Sequence, residues 1–199
     1  MIIQLSEIEA RVLGALVEKS LTTPDQYPLS LNALVNACNQ KTSRDPVMTL
    51  DEAAVGQGLH ALIERSLAGR LHEPGSRVPK FMHHIEMLLS GADAKAVATM
   101  CVLLLRGPQT PGEIKTRTDR LCEFSSTAEV DSLLQDLAAR SDPWVAKLPR
   151  QPGQKEVRYR HLFSGAAEPA SPEATIPDDR LTQLEKRVAA LERILAQKA

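Results

Sequence analysis

The sequence predicts a mainly helical α+β protein built from two similar halves, each ending in a small β-hairpin. Three observations support this prediction. Helix-forming residues such as Leu, Ala, Glu and Arg dominate the 199-residue chain, and only 3% of it is aromatic. Capping signals mark several helix starts. The same series of apolar and turn residues also occurs twice, at a spacing of roughly 75–80 residues that is too long for a solenoid repeat.

Four predicted helix starts carry a Ser or Thr followed three residues later by Glu. In such a capping box, the hydroxyl and the carboxylate bond free amide groups at the helix start. Pro111 suits the first helical position because its missing N–H would have no partner there. The four pairs are Ser6/Glu9, Thr49/Glu52, Thr110/Glu113 and Ser126/Glu129.

The repeat extends through the helices into a turn and two short strands. A Pro-Gly pair in each half, Pro74-Gly75 and Pro152-Gly153, precedes an aromatic residue and a His at matching distances. This pattern predicts hairpins, with strands at about 70–73 and 80–85 and at about 144–148 and 157–163. Three helices and a hairpin describe a winged helix, a relative of the helix-turn-helix. We therefore predict two tandem winged-helix domains, at residues 1–89 and 90–164, with two unrelated α+β units as the alternative.

The chain changes character after the second half. Residues 165–179 are small and Pro-rich, which is typical of a flexible linker. Residues 180–199 carry a heptad pattern with Arg187 and Glu192 at complementary flanking positions, which predicts a short coiled-coil helix and a homodimer. The alternative is an amphipathic helix docked on its own domain. The predicted dimer contacts are Leu181, Leu184, Val188, Leu191 and Leu195.

The composition excludes several classes of protein. The formal net charge is −1, so the chain is not a generally basic nucleic-acid binder, and only residues 90–164 have a positive balance, with 11 basic and 9 acidic side chains. The cysteines Cys38, Cys101 and Cys122 are too scattered for a disulfide framework or a zinc site. No signal peptide and no membrane span is visible, so we expect a cytoplasmic protein.

Two motifs resemble those of the YceH family, which comprises uncharacterised bacterial proteins. They are Asn-Gln-Lys-Thr-Ser-Arg-Asp-Pro-Val at 39–47 and Leu-Arg-Gly-Pro-Gln-Thr-Pro-Gly-Glu at 105–113. The resemblance covers about residues 5–163. It implies a tandem winged-helix architecture but no activity, because the family has no established biochemical role.

The loop 39–47 is a candidate binding site because it occupies the turn of the first predicted helix-turn-helix. Lys41, Thr42, Ser43 and Arg44 could hold phosphates. The structural alternative is that Asn39 ends a helix in a left-handed conformation and that residues 45–46 form a turn. The helix that follows, at about 50–65, is acidic and therefore a poor candidate for insertion into a DNA groove.

The second half is electrostatically better suited to DNA. Lys115, Arg117 and Arg120 follow its capped second helix, and its hairpin carries Lys155, Arg158 and Arg160. Such a hairpin could lie along a phosphate backbone, although a merely solvated strand pair is equally open. We therefore expect duplex DNA as the partner, bound with modest sequence preference. The alternative is a protein-interaction module without nucleic-acid binding.

Neither a catalytic constellation nor a cofactor motif is visible. His83, His84 and His161 lack Cys or carboxylate partners at ligand spacing, so we expect a packing role and no metal. No set of nucleophile, base and orienting group appears, and no glycine-rich phosphate loop. We therefore expect neither an enzyme nor a small-molecule cofactor.

Overall fold

A computed structural model describes residues 3–71, 78–150 and 156–164 of the chain. Several sequence predictions lie outside these residues. They are the two Pro-Gly turns, the linker 165–179 and the coiled-coil helix 180–199 with its heptad leucines.

The described part of the first half contains three α-helices and a three-stranded antiparallel sheet. Within the described residues, the elements are α1 (Glu7–Thr22), β1 (Leu29–Ser30), α2 (Leu31–Cys38), α3 (Glu52–Glu64), β2 (Ala68–Leu71) and β3 (Lys80–His83). The sheet order is β1-β3-β2. Both strand pairs are short, so the sheet depends on packing against the helices.

The second half repeats this order with shorter strands. Its elements in the described part of the chain are α4 (Ala94–Arg106), α5 (Pro111–Thr118), α6 (Thr127–Ala138), β4 (Val145–Lys147) and β5 (Tyr159–His161). The mainly helical α+β class is therefore confirmed. The bounds of β2 to β5 lie within two residues of the predicted ones, whereas β1 was not predicted. The winged-helix assignment remains an interpretation of this element order.

Strand register supports the duplication independently of sequence. Leu29, in β1, pairs with Phe81 of the first hairpin. At the same place in the second half, Gln109 forms an isolated bridge with Tyr159. Leu29 and Gln109 each stand directly before the residue that caps the second helix of its half. The matched aromatic residues of the two sequences thus occupy the same structural position.

Two of the four capping boxes are complete, at the starts of α1 and α5. The pair Thr49/Glu52 was predicted wrongly, because Asp51 caps α3 through a bond from the Ala54 amide to its carboxylate. Ser126 caps α6, but the Glu129 carboxylate accepts from Ser125 instead of closing the box. Asp51 stands directly before α3, where its carboxylate reaches the free Ala54 amide, whereas Thr49 lies two residues further from the helix.

The two halves share one hydrophobic core and form one compact unit. Helices α1 and α4, the first of each half, pack closely where Gly14 faces Leu104 and Leu105, and a Cβ at Gly14 would lie 2.9 Å from the Leu105 side chain. The predicted boundary at 89/90 falls in the connector before α4. Leu5 also pairs with Ser164, which ties the two ends of this unit together. Among the helices described, none is both long and apolar enough to cross a membrane.

Candidate functional site

The loop 39–47 is held in shape by its own polar side chains. The Asn39 side chain donates to the Leu50 carbonyl at 2.7 Å and accepts from the Leu50 amide at 2.8 Å, so it closes the loop across eleven residues. The expectation of a left-handed Asn39 was wrong, because its φ is −93°. The left-handed residue is Ser43, with φ 59°.

Arg44 does not face solvent, contrary to its expected role as a phosphate ligand. Its guanidinium donates to both carboxylate oxygens of Glu18, at 3.0 and 2.7 Å, and to the Ala37 carbonyl at 2.7 Å. Its side chain is 0% exposed. Burial raises the pKa of the Glu18 carboxyl, but the hydrogen bonds and charge of Arg44 outweigh it, so the pKa lies below its usual range. Arg44 therefore anchors the loop.

Arg11 is a second buried guanidinium beneath the same loop, and it was not among the predicted site residues. It donates to the Cys38 carbonyl at 3.1 Å and to the Pro46 carbonyl at 2.6 Å. Its signal was a single charged residue inside the apolar run of α1. The Asp45 amide, in addition, donates to the Leu105 carbonyl of α4 at 3.0 Å. The loop is thus fixed to both halves of the molecule.

A groove lies where this loop, α1, α4 and α5 meet, and it encloses about 60 Å³. The predicted site residues Thr42 and Ser43 line it from the first half, and Arg117 and Arg120 line it from the second. Five further polar residues line the groove and were not predicted as site residues, namely Glu18, Lys19, Thr22, Gln40 and Arg106. The structure thus brings together four of the ten candidate binding residues. Lys41 is exposed on the same loop, but neither Lys41 nor Lys115 lines the groove.

The groove is strongly electropositive. Its lining carries four cations, Lys19, Arg106, Arg117 and Arg120, against the single carboxylate of Glu18. That carboxylate is already bonded by Arg44 and lies 3.3 Å from the Lys19 ammonium. Arg117 in turn lies 3.5 Å from Glu113, so among the described residues Arg106 and Arg120 are the lining cations without an ion pair.

Arg106 carries the clearest sign of this excess charge. Burial lowers the pKa of its guanidinium, and the charges of Arg117 and Arg44 lower it further. In the part of the chain that the structure describes, no carboxylate lies within ion-pair distance of it. A guanidinium stays protonated even so, because its ordinary pKa lies far above neutral pH. Arg106 therefore presents to the groove a charge that is balanced only at longer range, by Asp45 and Glu18.

The basic residues of the second half are arranged differently from the sequence prediction. Lys115 and Arg117 lie within α5 and do not follow it. Arg158 is held by the Pro108 carbonyl at 2.9 Å and by Glu113 at 2.9 Å, which also faces Arg117 at 3.5 Å. Arg160 lies in β5 and is partly buried. Lys155 lies outside the described residues.

The third helices of both halves carry no Lys or Arg. Helix α3 presents Glu52 and Glu64 to solvent, and α6 presents Asp136. These acidic faces would be repelled by phosphates at the walls of a DNA groove. The basic groove and the third helices are thus separate surfaces of opposite charge. The described residues contain no group of three or more His, Cys, Asp or Glu side chains that could hold a metal ion.

Comparison with known proteins identifies the family. The family described as "Protein of unknown function, DUF480" matches residues 5–154. A UPF0502 protein of Pectobacterium carotovorum is 48% identical, over 98% of this chain and 94% of its own length. Another, from Opitutus terrae, is 53% identical over 94% of this chain and 83% of its own. The chain therefore belongs to this uncharacterised bacterial family, as its two motifs predicted.

Proposed function

We propose that this protein binds duplex DNA through the phosphate backbone, with the groove between its halves as a contact surface, and that it has no catalytic role. One observation carries the proposal. The loop of the first half and the cations of the second half converge on one electropositive groove. Phosphate contacts of this kind position a protein on a duplex without identifying its sequence.

The acidic third helices set the character of this binding. Base edges are usually read by side chains of a helix inserted in the major groove. Because α3 and α6 carry only acidic charge, they do not supply such contacts, and affinity should vary little with DNA sequence. Binding should instead depend strongly on salt, since each neutralised phosphate adds about −0.9 to the slope of log affinity against log salt.

Removing two groove cations is expected to weaken duplex binding at least about tenfold and to make the salt slope shallower by about 1.8. The variant is Arg117→Ala with Arg120→Ala. The matched control is Arg70→Ala with Lys147→Ala, which removes the same charge from two exposed strand residues away from the groove. Fluorescence anisotropy of a labelled random duplex across a salt series measures both quantities.

An equal loss of duplex affinity in the two variants would mean that binding depends on the net charge of the protein and not on the groove. No binding near 50 mM salt at tens of micromolar protein, roughly the non-specific range, would refute the nucleic-acid function altogether.

A protein partner is the second candidate, and the exposed acidic faces of α3 and α6 favour it. A basic partner surface would complement Glu52, Glu64 and Asp136. A pull-down from cell extract with and without nuclease separates the two candidates. Proteins that stay bound after nuclease treatment support a direct protein partner, whereas proteins lost with the nucleic acid support the DNA proposal.

We also propose that the protein is a homodimer joined through the heptads of residues 180–199. Replacing Leu184 and Leu191 with Ser in the full-length chain should halve the mass measured by light scattering at tens of micromolar, because both leucines occupy core positions of the repeat. Gln183→Ser, at an outer position of the same heptad, should leave the mass unchanged. A wild-type protein that is already monomeric would contradict the proposal.

A further inference from the structure

The groove described above has the size and chemistry of a discrete ligand site. Its enclosed volume is about 60 Å³, several times the roughly 10–15 Å³ that a cavity needs to hold one water molecule. The groove therefore has room for a small polyatomic group such as one phosphate. Its lining also includes the apolar side chains of Cys101, Val102 and Leu105. A charge beside such side chains is screened less than one in open solvent.

We propose that this groove binds a single phosphate group, held between the guanidinium groups of Arg106 and Arg117 and the hydroxyl groups of Thr42 and Ser43. The inference rests on the proposed function, because the same groove is the proposed DNA contact. Binding of small phosphates can nevertheless be measured in the absence of DNA.

The guanidinium groups of the groove suit an oxyanion such as phosphate. Guanidinium groups donate paired, charge-assisted hydrogen bonds to phosphate oxygens. Arg106 has no carboxylate partner among the described residues, and Arg117 has only a long 3.5 Å contact to Glu113. Glu113 is itself engaged by Arg158 and by the Thr110 amide at 2.8 Å. Both guanidinium groups therefore retain donors for a ligand.

The hydroxyl side of the groove is fixed before any ligand arrives. Thr42 and Ser43 sit on a loop that the buried Arg44 and Arg11 side chains hold from below. The Asn39 clamp holds the same loop from its ends. A preformed loop loses little conformational entropy on binding, so even a small anion can be held. Bound phosphate would contact both halves and stabilise their junction.

The test is a titration of isotopically labelled full-length protein with small phosphates at constant ionic strength, followed by amide NMR. Inorganic phosphate, methyl phosphate and dimethyl phosphate are added separately, with chloride as the control anion. We expect saturable shifts at Thr42 and Ser43 with a dissociation constant on the order of millimolar, corresponding to modest affinity.

Variants locate the site. Arg106→Gln and Arg117→Gln should each weaken phosphate binding at least about tenfold, because each removes charge-assisted bonds. The exposed Arg120→Gln, which carries the smallest folding risk, should weaken it less but measurably. Arg70→Gln, remote from the groove, should leave the affinity unchanged.

The phosphates distinguish the two sources of the ligand. Binding of dimethyl phosphate supports a nucleic-acid backbone. Binding of inorganic phosphate or methyl phosphate without dimethyl phosphate supports free phosphate or a phosphorylated small molecule. Either outcome supports the phosphate site. Absence of saturable shifts up to about 50 mM, far above a millimolar constant, overturns it. Duplex binding that persists in that case would leave the proposed function standing, and phosphate binding without duplex binding would remove the function while leaving the site.

Discussion

Replacing Arg44 with Ala is expected to lower the free energy of unfolding by about 3–5 kcal/mol. The substitution leaves the Glu18 carboxylate, on the buried face of α1, with only Lys19 at 3.3 Å. It also removes the hydrogen bonds that Arg44 donates to the Ala37 carbonyl. Breaking one partner of a buried pair is costly because the remaining charge is left uncompensated in a poorly solvated site.

Urea denaturation measures this effect, with circular dichroism following both halves and fluorescence of the single Trp144 following the second half. Because the halves share one core, both signals should shift by the same amount although Arg44 belongs to the first half. A Trp144 transition that stays at the wild-type midpoint would mean that the halves unfold separately.

Two further variants isolate the charge. Lys41→Ala, on the same loop but exposed, should change stability by no more than about 0.5 kcal/mol. Glu18→Gln combined with Arg44→Met should recover part of the loss, because no unpaired charge then remains. If Arg44→Ala costs less than about 1 kcal/mol, Arg44 does not anchor the loop.

The sequence identifies features whose causes lie within a few residues. The helix starts at Ser6 and Thr110 were predictable because hydroxyl, carboxylate and amide all fall within three residues of one another. The duplication was predictable because the same local pattern of apolar and turn residues occurs in both halves. Asp51 was missed because Thr49 offered the same spacing rule two residues earlier, and only the backbone geometry chooses between them.

The groove could not be predicted because it depends on how the halves pack. Lys19 and Arg106 are far apart in sequence, and the contact of α1 with α4 brings them together. Arg44 was assigned to the surface because a loop arginine usually lies there. Its partner, Glu18, is 26 residues away, and no local pattern connects them. Ion pairs between residues distant in sequence were therefore what local sequence patterns could not predict.

The second large effect is a loss of folding stability at acidic pH, and it arises from His161 on β5. Its ring stacks on the Phe163 ring, with 6.4 Å between the ring centroids. Its Nδ1 atom is buried and has no hydrogen-bond partner among the described residues. Burial, reinforced by the charge of Arg160, lowers the pKa of this imidazole to about 4. In the unfolded chain the pKa is about 6.5. The unfolded state therefore binds the proton more readily than the folded state.

The free energy of unfolding therefore keeps its full value above about pH 6.5 and falls as the pH decreases toward 4. The total loss from this group is about 3 kcal/mol. Burial also lowers the pKa of His83, which adds a smaller loss of the same sign. Carboxylates such as Glu18, whose pKa lies below the usual range, lose their contribution only at lower pH. The region between pH 6.5 and 4.5 therefore reports mainly on the histidines.

His161→Phe and His161→Gln should both flatten the dependence of the unfolding free energy on pH in this region, whatever their stability at pH 7.5. The first variant replaces the ring with an apolar one, and the second keeps a polar group that does not titrate. Urea midpoints measured from pH 7.5 to 4.5 test both against the wild type. If both variants keep the wild-type slope, His161 is not the group that destabilises the folded state in acid, and the remaining histidines must account for it.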